Sequence, residues 1–76
     1  MNKIYDILAQ LRPEFDFKES KNFIDDGYLD SFDIVSLVTE IEENFNCMID
    51  ALDILPENFD TVEHMIALIK KSGGEI

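Results

Sequence analysis

The sequence predicts an all-α fold, a small bundle of three main helices plus one short helix. Three stretches place apolar side chains three and four residues apart, the spacing of one helix face. No stretch alternates apolar and polar residues with the period of two that marks a strand. Because 76 residues are too few for two cores, we expect one domain over residues 1–72 and a frayed tail at 73–76.

The first helix is expected over about residues 2–11, and Pro13 ends it because proline lacks the amide hydrogen that a helix interior uses. Its apolar residues share one face: Ile4, Ile7, Leu8 and Leu11. Residues 12–30 then form a connection longer than most structureless loops. We expect this loop to be ordered, because it carries apolar side chains that can pack on the helices: Phe15, Phe17, Phe23, Ile24, Tyr28 and Leu29.

The second helix is expected over about residues 31–45 and the third over about residues 61–71. The core stripe of the second helix is Ile34, Leu37, Val38, Ile41 and Phe45, and that of the third is Val62, Met65, Ile66 and Ile69. Asp60 and Glu63 resemble a capping box at the start of the third helix. Pro56 predicts a short helical turn over residues 55–59, since proline suits a first helical position.

Acidic residues dominate the charge, with 17 Asp and Glu against six Lys and Arg and a net charge of −11. Twelve of the acids and no base lie in the 48 residues between Lys21 and Lys70. Direct binding to nucleic acid is disfavoured, because neutralising phosphates requires Lys and Arg. A generic solubilising surface would account for the acidity, and so would an acidic face that meets basic partners.

The few compartment signals agree with one another. A single cysteine, Cys47, excludes an internal disulfide and disfavours a secreted mini-protein. The first residues do not read as a signal peptide, and no apolar run approaches a membrane span. We therefore expect a cytoplasmic protein without membrane insertion. Cys47 is interpreted as a packed hydrophobe, and His64, with no second His or Cys beside it, as an improbable metal ligand.

The start of the second helix is where the sequence points to chemistry. Asp30 is a good N-cap, which places Ser31 at the first helical position with its hydroxyl free. Asp-Ser is common at helix starts, so one interpretation of Ser31 is purely structural. The other is that Ser31 is an attachment site for a phosphorylated group, because a helix N-terminus favours phosphate. Catalysis by Ser31 is disfavoured, since no His or Lys lies near it in the sequence to activate it.

A helical wheel predicts that the second helix has an apolar outer face inside an acidic rim. Phe32, Val35 and Thr39 fall off the core stripe. Around them stand the acids of the predicted rim: Asp33, Glu40, Glu42 and Glu43. Such a face favours a docking surface. The alternative is that Phe32 packs under the long first loop.

These residues resemble the acyl carrier protein family. Residues 26–38, with the sequence DGYLDSFDIVSLV, resemble its signature of Asp-Ser-Leu at the head of the second helix. Residues 41–45, IEENF, are similar to the family's Leu-Glu-Glu-Glu-Phe stretch, and residues 58–63 fit the start of its last helix. The resemblance covers nearly the whole chain.

The resemblance implies a non-catalytic carrier in which Ser31 bears 4′-phosphopantetheine taken from coenzyme A, with Asp30 as its motif partner. The group's thiol holds an acyl intermediate as a thioester. Implied partners are a phosphopantetheinyl transferase, a loading ligase, and synthases or transferases with basic docking patches. We expect the carrier to be a monomer. Asp33, Glu42 and Glu43 match positions that meet those patches. Phe32, Val35 and Thr39 match positions of docking hydrophobic residues.

The cargo and two other functions stay open on the sequence. Phe32 stands where Leu is usual, and Asp-Gly-x-Leu-Asp-Ser is more similar to D-alanyl or peptidyl carriers than to fatty-acid carriers. An interaction module without a prosthetic group would use the same acidic helix. A small Ca²⁺ binder is a third class, although no acidic run has the spacing of a twelve-residue calcium loop.

Overall fold

A computed structural model describes residues 3–74, and in this range the chain is all-helical without strands. Helix α1 spans Lys3–Leu11, α2 spans Ser31–Phe45 and α3 spans Val62–Lys71. The predicted all-α class and the three main helices are confirmed, while Asn2, the expected first helical residue, lies outside the described residues. The short fourth helix is a single 3₁₀ turn, Pro56–Asn58, and two further 3₁₀ turns span Phe17–Glu19 and Ala51–Asp53.

The core lies where the apolar stripes of the three helices meet, and α1 packs directly on α2. The side chains with less than 2% exposure come from all three helices and from two connections: Phe23, Phe59, Ile4, Leu8, Leu37, Ile41, Met65 and Ile69. The spacing of three and four residues therefore identified most of the buried faces, although Leu11 and Ile66 are half-buried and Leu68, outside the predicted stripe, is buried. Because α2 is buried on one side only, its opposite side remains a surface.

The first loop is ordered, as its aromatic content predicts. Phe17, Phe23 and Leu29 are buried, and the rings of Phe15 and Tyr28 stack with centroids 4.4 Å apart. The backbone N–H of Phe23 donates to the carbonyl of Asp60 over 2.8 Å, which ties the loop to the segment before α3. The part of the loop that leads into α2 is thus held in place.

The predicted capping box at the start of α3 is wrong, because Thr61 rather than Asp60 caps the helix. The Thr61 hydroxyl accepts from the backbone N–H of His64 over 3.1 Å. The Asp60 carboxylate instead contacts Nδ1 of His64 at 2.5 Å. Thr61 has the extended backbone of an N-cap residue, which brings its hydroxyl within hydrogen-bonding distance of the His64 amide.

The C-terminal end continues the hydrogen bonding of α3 as far as the description reaches. The N–H of Gly73 donates to Lys70 and that of Gly74 to Ile69, whereas Glu75 and Ile76 of the expected tail lie outside the described residues. Between Lys3 and Gly74, no helix combines the length and apolar character needed to cross a bilayer.

Candidate functional site

The N-terminus of α2 is closed by a reciprocal pair of hydrogen bonds, the capping box of Asp30 and Asp33. Oδ1 of Asp30 accepts from the backbone N–H of Asp33 over 3.0 Å. Oδ2 of Asp33 accepts from the backbone N–H of Asp30 over 3.2 Å. The hydrogen bond from the Asp33 amide is the main cause that lowers the pKa of Asp30, so this carboxylate is charged at neutral pH. The predicted N-cap is confirmed.

Ser31 is the first residue of α2 and lies on the surface between the two residues of the box. Its side chain is exposed. Neither its hydroxyl nor its backbone N–H has a hydrogen-bond partner within residues 3–74. Because Asp30 does the capping, the Ser31 hydroxyl is left free, as the sequence predicts. A free hydroxyl on the first turn of a 15-residue helix, beside an unpaired N–H, is an arrangement that an attached phosphate fits.

The outer face of α2 presents two large apolar side chains to solvent. Phe32 is 79% exposed and Val35 is 64% exposed. Thr39 is exposed on the same face, and its hydroxyl donates to the Val35 carbonyl over 3.3 Å. The alternative in which Phe32 packs under the first loop is therefore wrong. The apolar outer face, here meaning Phe32, Val35 and Thr39, is a surface next to Ser31.

Asp33 is not on the exposed rim where the helical wheel places it. Asp33 is 4% exposed, and its carboxylate forms an ion pair with the guanidinium of Arg12. The wheel fails here because it treats the helix in isolation, whereas Arg12, the residue that follows α1, covers this position. Asp33 is thus part of the support of the site and is not accessible to a partner's basic patch.

The remaining acids of the rim differ in how free they are. Glu43 is exposed, and Glu40 is half-buried at a surface groove of about 430 Å³ between α1 and α2. Glu42 is half-buried, and its carboxylate accepts from the backbone N–H of Ile49 over 2.9 Å. Glu42 thereby ties the segment that follows α2 back to the helix. Glu43 is the acid of the predicted rim whose side chain is exposed to solvent.

Arg12 is a residue of this site that the helical wheel does not identify. Its Nε lies 3.2 and 3.0 Å from Oδ1 and Oδ2 of Asp33, and its Nη2 lies 2.9 Å from Oδ2. The contact joins residues 21 positions apart, so helix periodicity carries no trace of it. The one available signal is that Arg12 is the chain's single arginine, placed where the first helix ends.

The chain's other candidate chemical groups lie elsewhere. His64 is paired with Asp60 at the start of α3, and the hydrogen bond that protonated Nδ1 donates to that carboxylate raises the His64 pKa. Cys47 is half-buried, and burial raises the pKa of its thiol. Between Lys3 and Gly74, no three His, Cys, Asp or Glu side chains come together as a metal-ligand group.

A family model described as "phosphopantetheine attachment site" matches residues 2–69, which includes all three α-helices except the last two residues of α3. No solved structure matches the chain significantly.

Proposed function

Because the chain belongs to the phosphopantetheine attachment-site family, whose members bear covalently bound 4′-phosphopantetheine, we propose that Ser31 is the residue that carries the group. The observation that carries this assignment is the free hydroxyl of Ser31 at the first position of α2. Asp30 serves as its motif partner by taking over the cap. The chain is thereby proposed to be a carrier of acyl intermediates.

The division of labour between this chain and its transferase follows from the contacts of Ser31. When bound, the group supplies a terminal thiol that holds an acyl group as a thioester. The Ser31 oxygen becomes an ester oxygen of the phosphodiester, and the pyrophosphate bond of coenzyme A breaks to release adenosine 3′,5′-bisphosphate. No described residue hydrogen-bonds the Ser31 hydroxyl, so the base that removes the hydroxyl proton belongs to the transferase. The proposed carrier catalyses nothing itself.

The apolar outer face is proposed as the surface by which partner enzymes recognise the carrier. Exposed Phe32 and Val35 provide apolar anchors, and Thr39 extends the face along α2. Exposed Glu43, with half-buried Glu40 and Glu42 contributing less directly, provides negative charge beside it, suited to basic patches on a phosphopantetheinyl transferase, a loading ligase, and synthases or transferases. Exposed charges mainly raise the rate at which the two proteins associate, and dissolved salt screens them. The affinity for a cognate transferase is therefore expected to fall steeply as the salt concentration rises.

The attachment is tested by incubating the chain with coenzyme A and a promiscuous phosphopantetheinyl transferase and measuring intact mass. The wild-type chain is expected to gain one phosphopantetheine. Ser31→Ala is expected to gain nothing, while Ser36→Ala, a change at a half-buried serine of the same helix, keeps the gain. An unmodified wild-type chain, or modification that persists in Ser31→Ala, would refute the proposal. The former result would favour an interaction module without a prosthetic group.

The proposed cargo is an acyl intermediate of fatty-acid, polyketide or related biosynthesis. The second candidate is a D-alanyl or peptidyl cargo, favoured by the Leu-Asp-Ser run in which Leu29 is buried immediately before the cap. The two are separated by offering the modified chain to an acyl-adenylating ligase and to an aminoacyl-adenylating ligase. Intact mass identifies the thioester formed, and hydroxylamine should remove it.

The proposal places the carrier in the cytoplasm as a monomer. A monomer leaves the outer face of α2 open to successive partners, which a carrier function requires. Sedimentation equilibrium should give the mass of one chain, and fractionation of expressing cells should recover the modified form with cytoplasmic enzymes. A dimer whose interface buries Phe32 would contradict this part of the proposal.

A further inference from the structure

The first turn of α2 is fastened to the end of α1 by a single basic side chain. Arg12 binds Asp33 through both Nε and Nη2, the two-point geometry that a planar guanidinium allows. Its own backbone is fixed on both sides. The Arg12 N–H donates to the Leu8 carbonyl over 2.9 Å, and its carbonyl accepts from the Phe15 N–H over 3.3 Å. The guanidinium therefore projects from a rigid base.

Asp33 transmits this anchoring to the residue before Ser31. The same Oδ2 that Arg12 holds accepts the backbone N–H of Asp30, while Asp30 caps the Asp33 amide. Ser31 is covalently bonded to Asp30 and lies within the ring that these hydrogen bonds close. A displacement of the Asp33 carboxylate would consequently open the capping box around the Ser31 backbone.

Arg12 also offsets negative charge at the start of α2. The capping box brings two carboxylates beside Ser31, where a phosphodiester would add further negative charge. Nη2 of Arg12 lies 2.9 Å from the Asp33 carboxylate and 3.9 Å from that of Asp30. Among the described lysines, none forms an ion pair with Asp30 or Asp33, so Arg12 supplies the positive charge of this turn.

We propose that Arg12 is a positioning residue for modification at Ser31: it locks the Asp30–Asp33 capping box and offsets its charge, so that the hydroxyl is held ready for the transferase. The inference rests on the proposed function of Ser31. The effect of Arg12 on the capping box does not depend on modification and can be measured in the unmodified chain. Lysine cannot replace Arg12 fully, because an ammonium lacks the planar fork that engages both carboxylate oxygens.

The first test measures the capping box directly, without any transferase. Hydrogen exchange of the Asp33 amide, whose N–H the box protects, is compared between the wild type and Arg12→Gln. Loss of one hydrogen bond to a charged group predicts exchange about tenfold faster at Asp33 in the variant. The Leu37 amide, one turn further along α2, serves as an internal reference and should change little. Equal protection of Asp33 in both proteins would overturn the positioning role.

The second test measures kcat/KM for modification with coenzyme A and a promiscuous transferase. Arg12→Gln is expected to fall by about tenfold, and Asp33→Asn, which keeps an oxygen for the Asp30 amide, by less. Lys18→Gln is the matched control, since it removes one positive charge from the same loop, where Lys18 lies over the Tyr5 ring. Circular dichroism at the assay temperature confirms that each variant is folded.

The outcomes separate this inference from the proposed function. A wild-type chain that is modified at the same rate as Arg12→Gln overturns the inference and leaves the assignment of Ser31 intact. A full rate in Arg12→Lys overturns the positional part, because only the charge is then required. A loss of rate in Lys18→Gln equal to that in Arg12→Gln also overturns it, since net charge would suffice. An unmodified wild type overturns both proposals.

Discussion

Leu37 and Phe32 lie on opposite sides of α2 and should separate folding from recognition. Leu37 is 0% exposed in the core, whereas Phe32 is 79% exposed on the outer face. Leu37→Ala removes three buried carbons, which at about 0.8 kcal/mol each contribute about 2.4 kcal/mol of transfer free energy. The cavity that remains raises the expected loss to about 3 kcal/mol.

That loss is large for a chain of this size. A domain of 76 residues has a free energy of unfolding of about 4 to 11 kcal/mol. A loss of about 3 kcal/mol should lower Tm by roughly 12 to 24 °C, at about 4 to 8 °C per kcal/mol. Urea denaturation followed by circular dichroism measures the change, and an unaltered m-value would show that the unfolded surface is the same.

Phe32→Ala is the matched variant, an apolar truncation on the same helix. Its free energy of unfolding should stay within about 0.5 kcal/mol of the wild type, because little of the ring is buried. Its affinity for a cognate transferase should fall by about tenfold or more, as for an aromatic anchor. A loss of stability in Phe32→Ala equal to that in Leu37→Ala, or a loss below about 1 kcal/mol in the latter, would refute the assignment of the two faces.

Three further predictions concern α3 and the connection before it. Thr61→Ala should lower the free energy of unfolding by about 1 kcal/mol in urea denaturation, because it removes the cap of α3, while Asp60→Asn leaves that cap in place. At a pH above the raised pKa of His64, where the Asp60–His64 pair no longer contributes, a larger loss in Asp60→Asn would restore the capping box expected from the sequence. The Asp60 hydrogen bond raises the folded-state pKa of His64, so its stabilisation is present below pH about 6.5 and lost as pH rises through the raised pKa. The stability difference between the wild type and His64→Gln should therefore shrink with rising pH, and a constant difference between pH 5 and 8 would contradict the pairing. Burial raises the pKa of the Cys47 thiol, so iodoacetamide should alkylate it slowly in the folded chain and rapidly in urea, and equal rates would show that the thiol is accessible.

Local sequence information predicted most of the architecture. The helix bounds follow from apolar spacing, from Pro13 and from the Asp30 cap, all of which act over a few residues. The exposure of Phe32 and Val35 also follows from the wheel, since an amphipathic helix can bury only one side. Family membership was likewise recognisable from the sequence, because the Asp-Ser run, helix spacing and acidity occur together.

Contacts between distant segments were not predictable in this way. The exposed position predicted for Asp33 is wrong because Arg12, 21 residues earlier, covers it, and no periodicity links the end of one helix to the start of another. A local pattern predicts Asp60 as the cap of α3, but Thr61 is the cap. The Asp60 carboxylate pairs with His64 four residues further on, and a tertiary hydrogen bond joins the Asp60 carbonyl to the N–H of Phe23. Competing hydrogen bonds of similar strength are decided by packing.

Residue order is enough to indicate a three-helix domain with Ser31 at the head of its acidic second helix, because propensity, capping and apolar spacing act locally. Which acids of that helix are free depends on the packing of the whole domain. Asp33 and Glu42 are engaged by Arg12 and by the Ile49 amide, whereas Glu43 is exposed to solvent. Those pairings depend on how α1 and the connection after α2 fold against the helix, and side chains brought together only by packing leave no periodic trace in the sequence.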